Sequence, residues 1–130
     1  MHEDHDPTRP APQAGQRLYR LLSAADWRTA VAAGVYRGAP HDIADGFIHL
    51  STADQVEETA AKHYATVEDL MVLTVDSARV DGEVKWEPSR GGQLFPHVYG
   101  TIPVEAVLGA EPVGRDRDGA FTFPHLRDEI

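Results

Sequence analysis

The sequence predicts an α+β domain of about two helices and six or seven short strands. Two observations carry this. The helix-period stretches, 24–33 and 52–64, lie in the first half of the chain, and most extended stretches follow residue 69. The two kinds do not alternate regularly enough for a doubly wound parallel sheet.

The first strand is residues 17–22 (RLYRLL). Period-two alternation puts Leu18, Arg20 and Leu22 on one face and Tyr19 and Leu21 on the other. An Arg on an apolar face either runs its stem along the core with its head in water or points into a polar cleft. Ser23 caps a helix over residues 24–33, with Asp26 at the capping-box position and Gly34 as its stop. Residues 35–44 read as a loop broken by Gly38 and Pro40, from which Tyr36, Arg37 and His41 can reach a cleft.

Residues 45–52 (DGFIHLST) combine a turn at Asp45-Gly46, a short apolar strand carrying His49, and Ser51 as the cap of a helix over 52–64, with Asp54 as its partner. A strand that runs into a helix N-terminus presents free N–H groups, which suit an anion. A buried His beside an ordinary capped helix fits the same eight residues.

Residues 69–76 (DLMVLTVD) are the most apolar run and read as a central strand buried on both faces. In 83–87 (EVKWE), Glu83, Lys85 and Glu87 share one face and Val84 and Trp86 the other. Residues 93–99 (QLFPHVY) read as a strand whose Pro96 confines one side to an edge. Further strands fall around Val107–Ala110 and Ala120–Phe123, and the end HLRDEI reads as polar.

A chain of 130 residues suits one core. Residues 17–130 are expected to form one globular domain. Residues 1–16 hold three Pro and few apolar groups, so they are expected to be a flexible tail whose His2 and His5 bind a metal weakly at most. The net charge of −9, with no basic run, argues against nucleic-acid partners. No apolar run approaches the ~18 residues that span a bilayer, and no signal-like segment opens the chain, so a soluble cytoplasmic protein is expected. Without Cys there is no disulfide, thiolate metal site or Cys nucleophile.

The residue types able to do chemistry are Arg20, His49, Ser51, Thr52, Glu87, His97 and Tyr99. His49, His97 and Glu87 lack any HxH or HExxH spacing, so no metal is expected. Ser51 lacks the G-x-S-x-G elbow of a serine hydrolase. Glu87 ends a strand beside Trp86 and precedes Gly91-Gly92. Such a carboxylate either carries a raised pKa, stabilises a developing cation, or is simply solvated next to Arg90.

Leu18-Tyr19, the run Asp45–Thr52 (DGFIHLST), Trp86-Glu87 and the run Phe95–Gly100 (FPHVYG) together resemble the small bacterial family known as domain of unknown function 952. The resemblance spans residues 17–123. It implies an ADP-ribosyltransferase-like fold: a mixed or antiparallel split sheet with two or three helices and a nucleotide cleft between the halves. It also implies NAD as a possible substrate. Arg20 stands at the first-strand place, His49-Leu50-Ser51-Thr52 is similar to the Ser/Thr motif, and Glu87 is the candidate carboxylate. His49 and Glu87 are thus the expected catalytic pair. Arg20, Ser51, Thr52, His97 and Tyr99 are the expected ligand contacts. A non-catalytic module for a small anion or peptide, and a hydrolase using a His/Glu pair, are the alternatives.

Overall fold

The structure, a computed structural model, describes residues 15–124, 126 and 127. The expected tail lies, up to residue 14, outside the described residues.

Strand β1 (Arg17–Ser23) pairs antiparallel with β4 (Leu70–Asp76), which pairs antiparallel with β7 (Val107–Pro112). In the second sheet β6 (Leu94–Pro103) is central. The hairpin strand β5 (Asp81–Pro88) covers one side of it, and β2 (Val35–Tyr36) and β3 (Ile48–His49) share the other. A small ribbon joins β8 (Gly114–Arg115) to β9 (Phe121–Thr122). Three α-helices are described: α1 (Ala24–Ala33), α2 (Pro40–Asp45) and α3 (Val56–His63). The architecture is α+β with antiparallel pairing throughout the described sheets.

The alternation in β1 sorts the core. Leu18 and Leu22, with Leu73 and Val75 of β4, face Ile48, Val98 and Ile102 of the second sheet. Tyr19 and Leu21, with Leu70 and Val72, face Val56 and Ala60 of α3. The first sheet is therefore buried on both faces, as the unbroken apolar run of β4 requires. Helix α1 begins at the Ser23 cap, whose hydroxyl accepts the Asp26 N–H at 3.1 Å, and stops at Gly34 in the left-handed region (φ 81).

Four expectations change. The 35–44 loop contains β2 and α2; Pro40 starts α2, because the missing N–H costs nothing in a first turn. Gly46 (φ 88) ends α2, so Asp45-Gly46 is a helix stop rather than a free turn. Ser51 is not a helix cap. Its N–H donates to the Tyr19 carbonyl at 2.9 Å and its carbonyl accepts the Tyr19 N–H at 2.8 Å, a bridge between the two sheets. Helix α3 then begins at Val56, after Gln55, whose side chain makes no capping bond to the helix. Long-range pairing has taken the backbone that local capping would have used.

Pro96, finally, is inside the central strand and buried. Its carbonyl accepts Leu50 N–H at 3.0 Å, so its missing N–H also falls on the β3 side. There β3 ends and the chain leaves for Tyr19, so no ladder bond is lost. Leu126 packs on the Tyr19 cluster, and Tyr19 Oη donates to the Arg127 carbonyl at 2.6 Å.

Candidate functional site

The site is built around Asp42, on α2. Its buried carboxylate meets the Arg20 guanidinium as a two-pronged pair, Nη1 to Oδ1 and Nη2 to Oδ2, both at 2.8 Å. Oδ1 also accepts the His49 backbone N–H at 2.9 Å and lies 2.7 Å from His49 Nδ1. Oδ2 accepts the Ala39 N–H at 2.6 Å. Burial alone would raise the Asp42 pKa. Hydrogen bonds from His49 and Arg20, and the Arg20 charge, outweigh it and hold the group well below the carboxylate range. An ionised Asp42 only accepts, so His49 Nδ1 carries a hydrogen. Gly38 makes room: its φ of 104 is left-handed, and a Cβ there would stand 2.9 Å from Asp42 Cβ.

Arg20 is 2 % exposed, and Nη1 also donates to the His49 carbonyl at 3.0 Å. Its fork is therefore engaged within the protein. It ties the first sheet to α2 and β3, while its Nε has no hydrogen-bond partner among the described residues. His49 is held on both ring nitrogens, by Asp42 Oδ1 and by Asp45 Oδ2 at 2.9 Å.

The second group rises from the β5–β6 hairpin. Register places Lys85 opposite His97, Glu83 opposite Tyr99 and Glu87 opposite Phe95. His97 Nδ1 is 2.7 Å from Glu87 Oε1, and Tyr99 Oη donates to Oε1 and Oε2 at 2.8 and 3.1 Å. The bonds from His97 and Tyr99 lower the Glu87 pKa, so this carboxylate is ionised at neutral pH. Of the sequence alternatives, a raised pKa is overturned. The Glu87 bond in turn pushes the Tyr99 phenol up.

Phe47 joins the groups. Its ring stacks on His97 at 4.1 Å (interplanar 21°) and lies 4.7 Å from His49 and 5.1 Å from Tyr99. The two imidazoles meet edge to face at 5.3 Å. One contiguous cluster thus runs from Arg20 through Asp42, His49 and His97 to Glu87 and Tyr99. His49 and Glu87 are not bonded to each other. Each is bonded to a different partner, because β3 delivers His49 to α2 while the β-hairpin delivers Glu87 to His97.

Beside this cluster the sheets part after the Tyr19–Ser51 bridge and leave a cleft of about 570 Å³. Arg20, His41, His49, Ser51 and His97 reach its wall, together with Tyr19, Tyr64 and Phe95. Glu87, Tyr99 and Thr52 are not among the lining residues; Glu87 bonds the ring of His97, and Tyr99 bonds Glu87. Ser51 is 4 % exposed, with Oγ 3.2 Å from Thr59 Oγ1. The Thr52 N–H donates to Gln55 Oε1 at 3.0 Å.

His41, Asp42 and His49 offer ligand atoms within 4.8 Å of one another. Asp42 nevertheless already receives five donors on about four lone-pair positions, two of them from a cation. The cluster is built as an ion pair, not as a metal cage.

A family model described as "Protein of unknown function (DUF952)" matches residues 21–110. The chain belongs to this family. The DUF952 match takes in Asp42, His49, Ser51, Thr52, Glu87, His97 and Tyr99, and begins one residue after Arg20. The fold is similar to the crystal structure of CC0527 from Caulobacter crescentus, at TM-score 0.76 and 40% identity over 82% of this chain and 93% of that one. The solution structure of CC0527 is similar at TM-score 0.70 and 42% identity, over 79% of this chain and 89% of that one. No curated protein matches.

Two residues of the site escape sequence reasoning. Asp42 sits in a stretch read as loop, although Pro40 followed two residues later by an Asp is an N1–N3 helix signature. Phe47 looks like any core aromatic. No helix of the described residues is long and apolar enough to cross a membrane.

Proposed function

We propose that the cleft binds a nucleotide of the NAD class and that the protein transfers or hydrolyses its ribosyl group, as an ADP-ribosyltransferase-like member of the DUF952 family. The observation that carries this reading is the cleft itself. It opens between two sheets beside their Tyr19–Ser51 bridge, and an ionised carboxylate, Glu87, bonds the His97 of its wall. Tyr64, half-buried, offers aromatic surface for a flat ring beside the buried rings of Tyr19 and Phe95. A glycosidic bond to a ribose breaks through an oxocarbenium-like state, and a fixed negative charge nearby lowers that barrier. Arg20 holds Asp42 and His49 in place and stands on the cleft wall, where its cationic head suits a diphosphate.

The test is titration of NAD and ADP-ribose into labelled protein. Amides of 19–23 and 49–52 are expected to shift, and Glu87→Gln is expected to slow NAD glycohydrolysis by at least about 10²-fold. Millimolar nucleotide that moves none of these amides sinks the proposal. Binding without turnover in the unaltered protein leaves the non-catalytic module.

A second reading has one specific observation behind it. Glu87 and His97 form a bonded carboxylate–imidazole pair, the arrangement of a hydrolase acid/base couple. Hydrolysis of esters or amides carrying no nucleotide, lost in His97→Ala, supports that reading against the first.

A further inference from the structure

The two imidazoles at the cleft wall differ in one respect. His49 has both nitrogens on carboxylate oxygens, whereas His97 has one. His97 Nε2 is buried and has no hydrogen-bond partner among the described residues, in a residue only 4 % exposed. Glu87, being ionised, only accepts, so the hydrogen of the His97–Glu87 bond sits on Nδ1. In the neutral ring Nε2 is then a bare lone pair. A buried acceptor without a donor is a cost that folding does not leave uncompensated without reason. The ring is also clamped, by Phe47 on one face and His49 at its edge. The charged and titratable groups that face it are Glu87 and Tyr99 of the hairpin, Lys85 in register opposite, and His49.

We propose that His97 is the general base of the site, with Glu87 as its positioning residue: Nε2 accepts the hydrogen bond of an attacking hydroxyl, from water or an acceptor alcohol, and takes its proton. The inference rests on the nucleotide reading for its substrate and on the hydrogen-bond geometry for its residue. The balance is complete. The hydroxyl O–H bond breaks and its oxygen bonds to the anomeric carbon. The bond from that carbon to the pyridinium nitrogen breaks with its electron pair going to nicotinamide, which leaves neutral. The proton stays on Nε2, where the Glu87 carboxylate stabilises the imidazolium, and then passes to solvent. Glu87 thereby serves the charge that develops on the ring to which it is bonded. The arrangement also explains why Tyr99 bonds the same carboxylate: it fixes the rotamer that holds the ring.

Two measurements on the full chain decide it. Long-range proton–nitrogen NMR on histidine-labelled protein reads the tautomer. The expected result is hydrogen on Nδ1 and a pyridine-type Nε2, whose signal moves upfield on addition of ADP-ribose. Hydrogen on Nε2 makes that atom a donor and overturns the proposal, whatever the substrate. The second measurement separates base from contact. Gln places a neutral acceptor near Nε2 but takes no proton, so His97→Gln is expected to hold ADP-ribose within about threefold and lose turnover by about 10²-fold or more. His97→Phe, which keeps the stacked ring, is expected to lose both. Turnover unchanged in His97→Gln refutes the role. If NAD is neither bound nor consumed, the nucleotide reading alone fails, and the tautomer decides for His97.

Discussion

Asp42 receives Arg20, His49 and two backbone N–H groups, and nothing else in the site is so fully satisfied. Removing its charge leaves the Arg20 guanidinium buried beside a neutral group. Asp42→Asn is therefore expected to destabilise by about 3–5 kcal/mol, measured by urea denaturation. The sign with pH follows from the depressed pKa. The pair's contribution is fully present above the unfolded carboxylate value of 3.8, and is lost as pH falls toward the lower folded value. Stability of the natural protein should fall below about pH 4 more steeply than that of Asp42→Asn. A variant as acid-sensitive as its parent contradicts this account. Glu87 stands differently, since it is partly open to water. Glu87→Gln should leave the denaturation midpoint near its starting value while changing the His97 nitrogen signals.

At the scale of elements, α2 is what makes the site. It is six residues long, starts at Pro40 and ends at Gly46, and its Asp42 reaches β1 and β3 together. Gly38 admits it. Gly38→Ala combines left-handed strain with a Cβ against Asp42, so a loss of about 1–3 kcal/mol is expected in thermal unfolding, with displaced His49 resonances. An Ala variant with unchanged His49 signals argues that α2 tolerates the shift. Helix α1 offers a contrast at the cleft's rim, where the Ser23 hydroxyl bonds the backbone and neither imidazole. Ser23→Ala should cost about 1 kcal/mol through the lost cap and leave His49 and His97 untouched.

At the scale of the whole molecule, two sheets share a core on the Leu18–Leu22 face and meet by backbone only at Tyr19 and Ser51 among the described residues. The cleft follows from that geometry, because β1 runs on toward Ser23 while the segment after Ser51 turns to α3. A ligand bridging the walls binds only the folded form. At a hundredfold excess over its Kd it should add about 2.7 kcal/mol to unfolding stability. A nucleotide that saturates the protein yet leaves its melting temperature unmoved is bound somewhere other than this cleft.

The sequence by itself determined the elements whose signals are local. Strand β1 with its two faces, α1 with Ser23 and Gly34, β4, and the alternation of β5 all follow from periods of two or 3.6 residues and from cap chemistry. The motif residues His49, Glu87, His97 and Tyr99 were also legible, and they gather in one cluster. Tertiary structure alone decided who bonds to whom. Asp42 is 22 positions from Arg20 and its helix is too short to show a period. Ser51 gave up a local cap for a strand partner 32 residues earlier, because a buried backbone must find its hydrogen bonds wherever the sheets allow. The lone pair on His97 was invisible for the same reason. That no donor of the described residues reaches it shows only once the fold has set its neighbours.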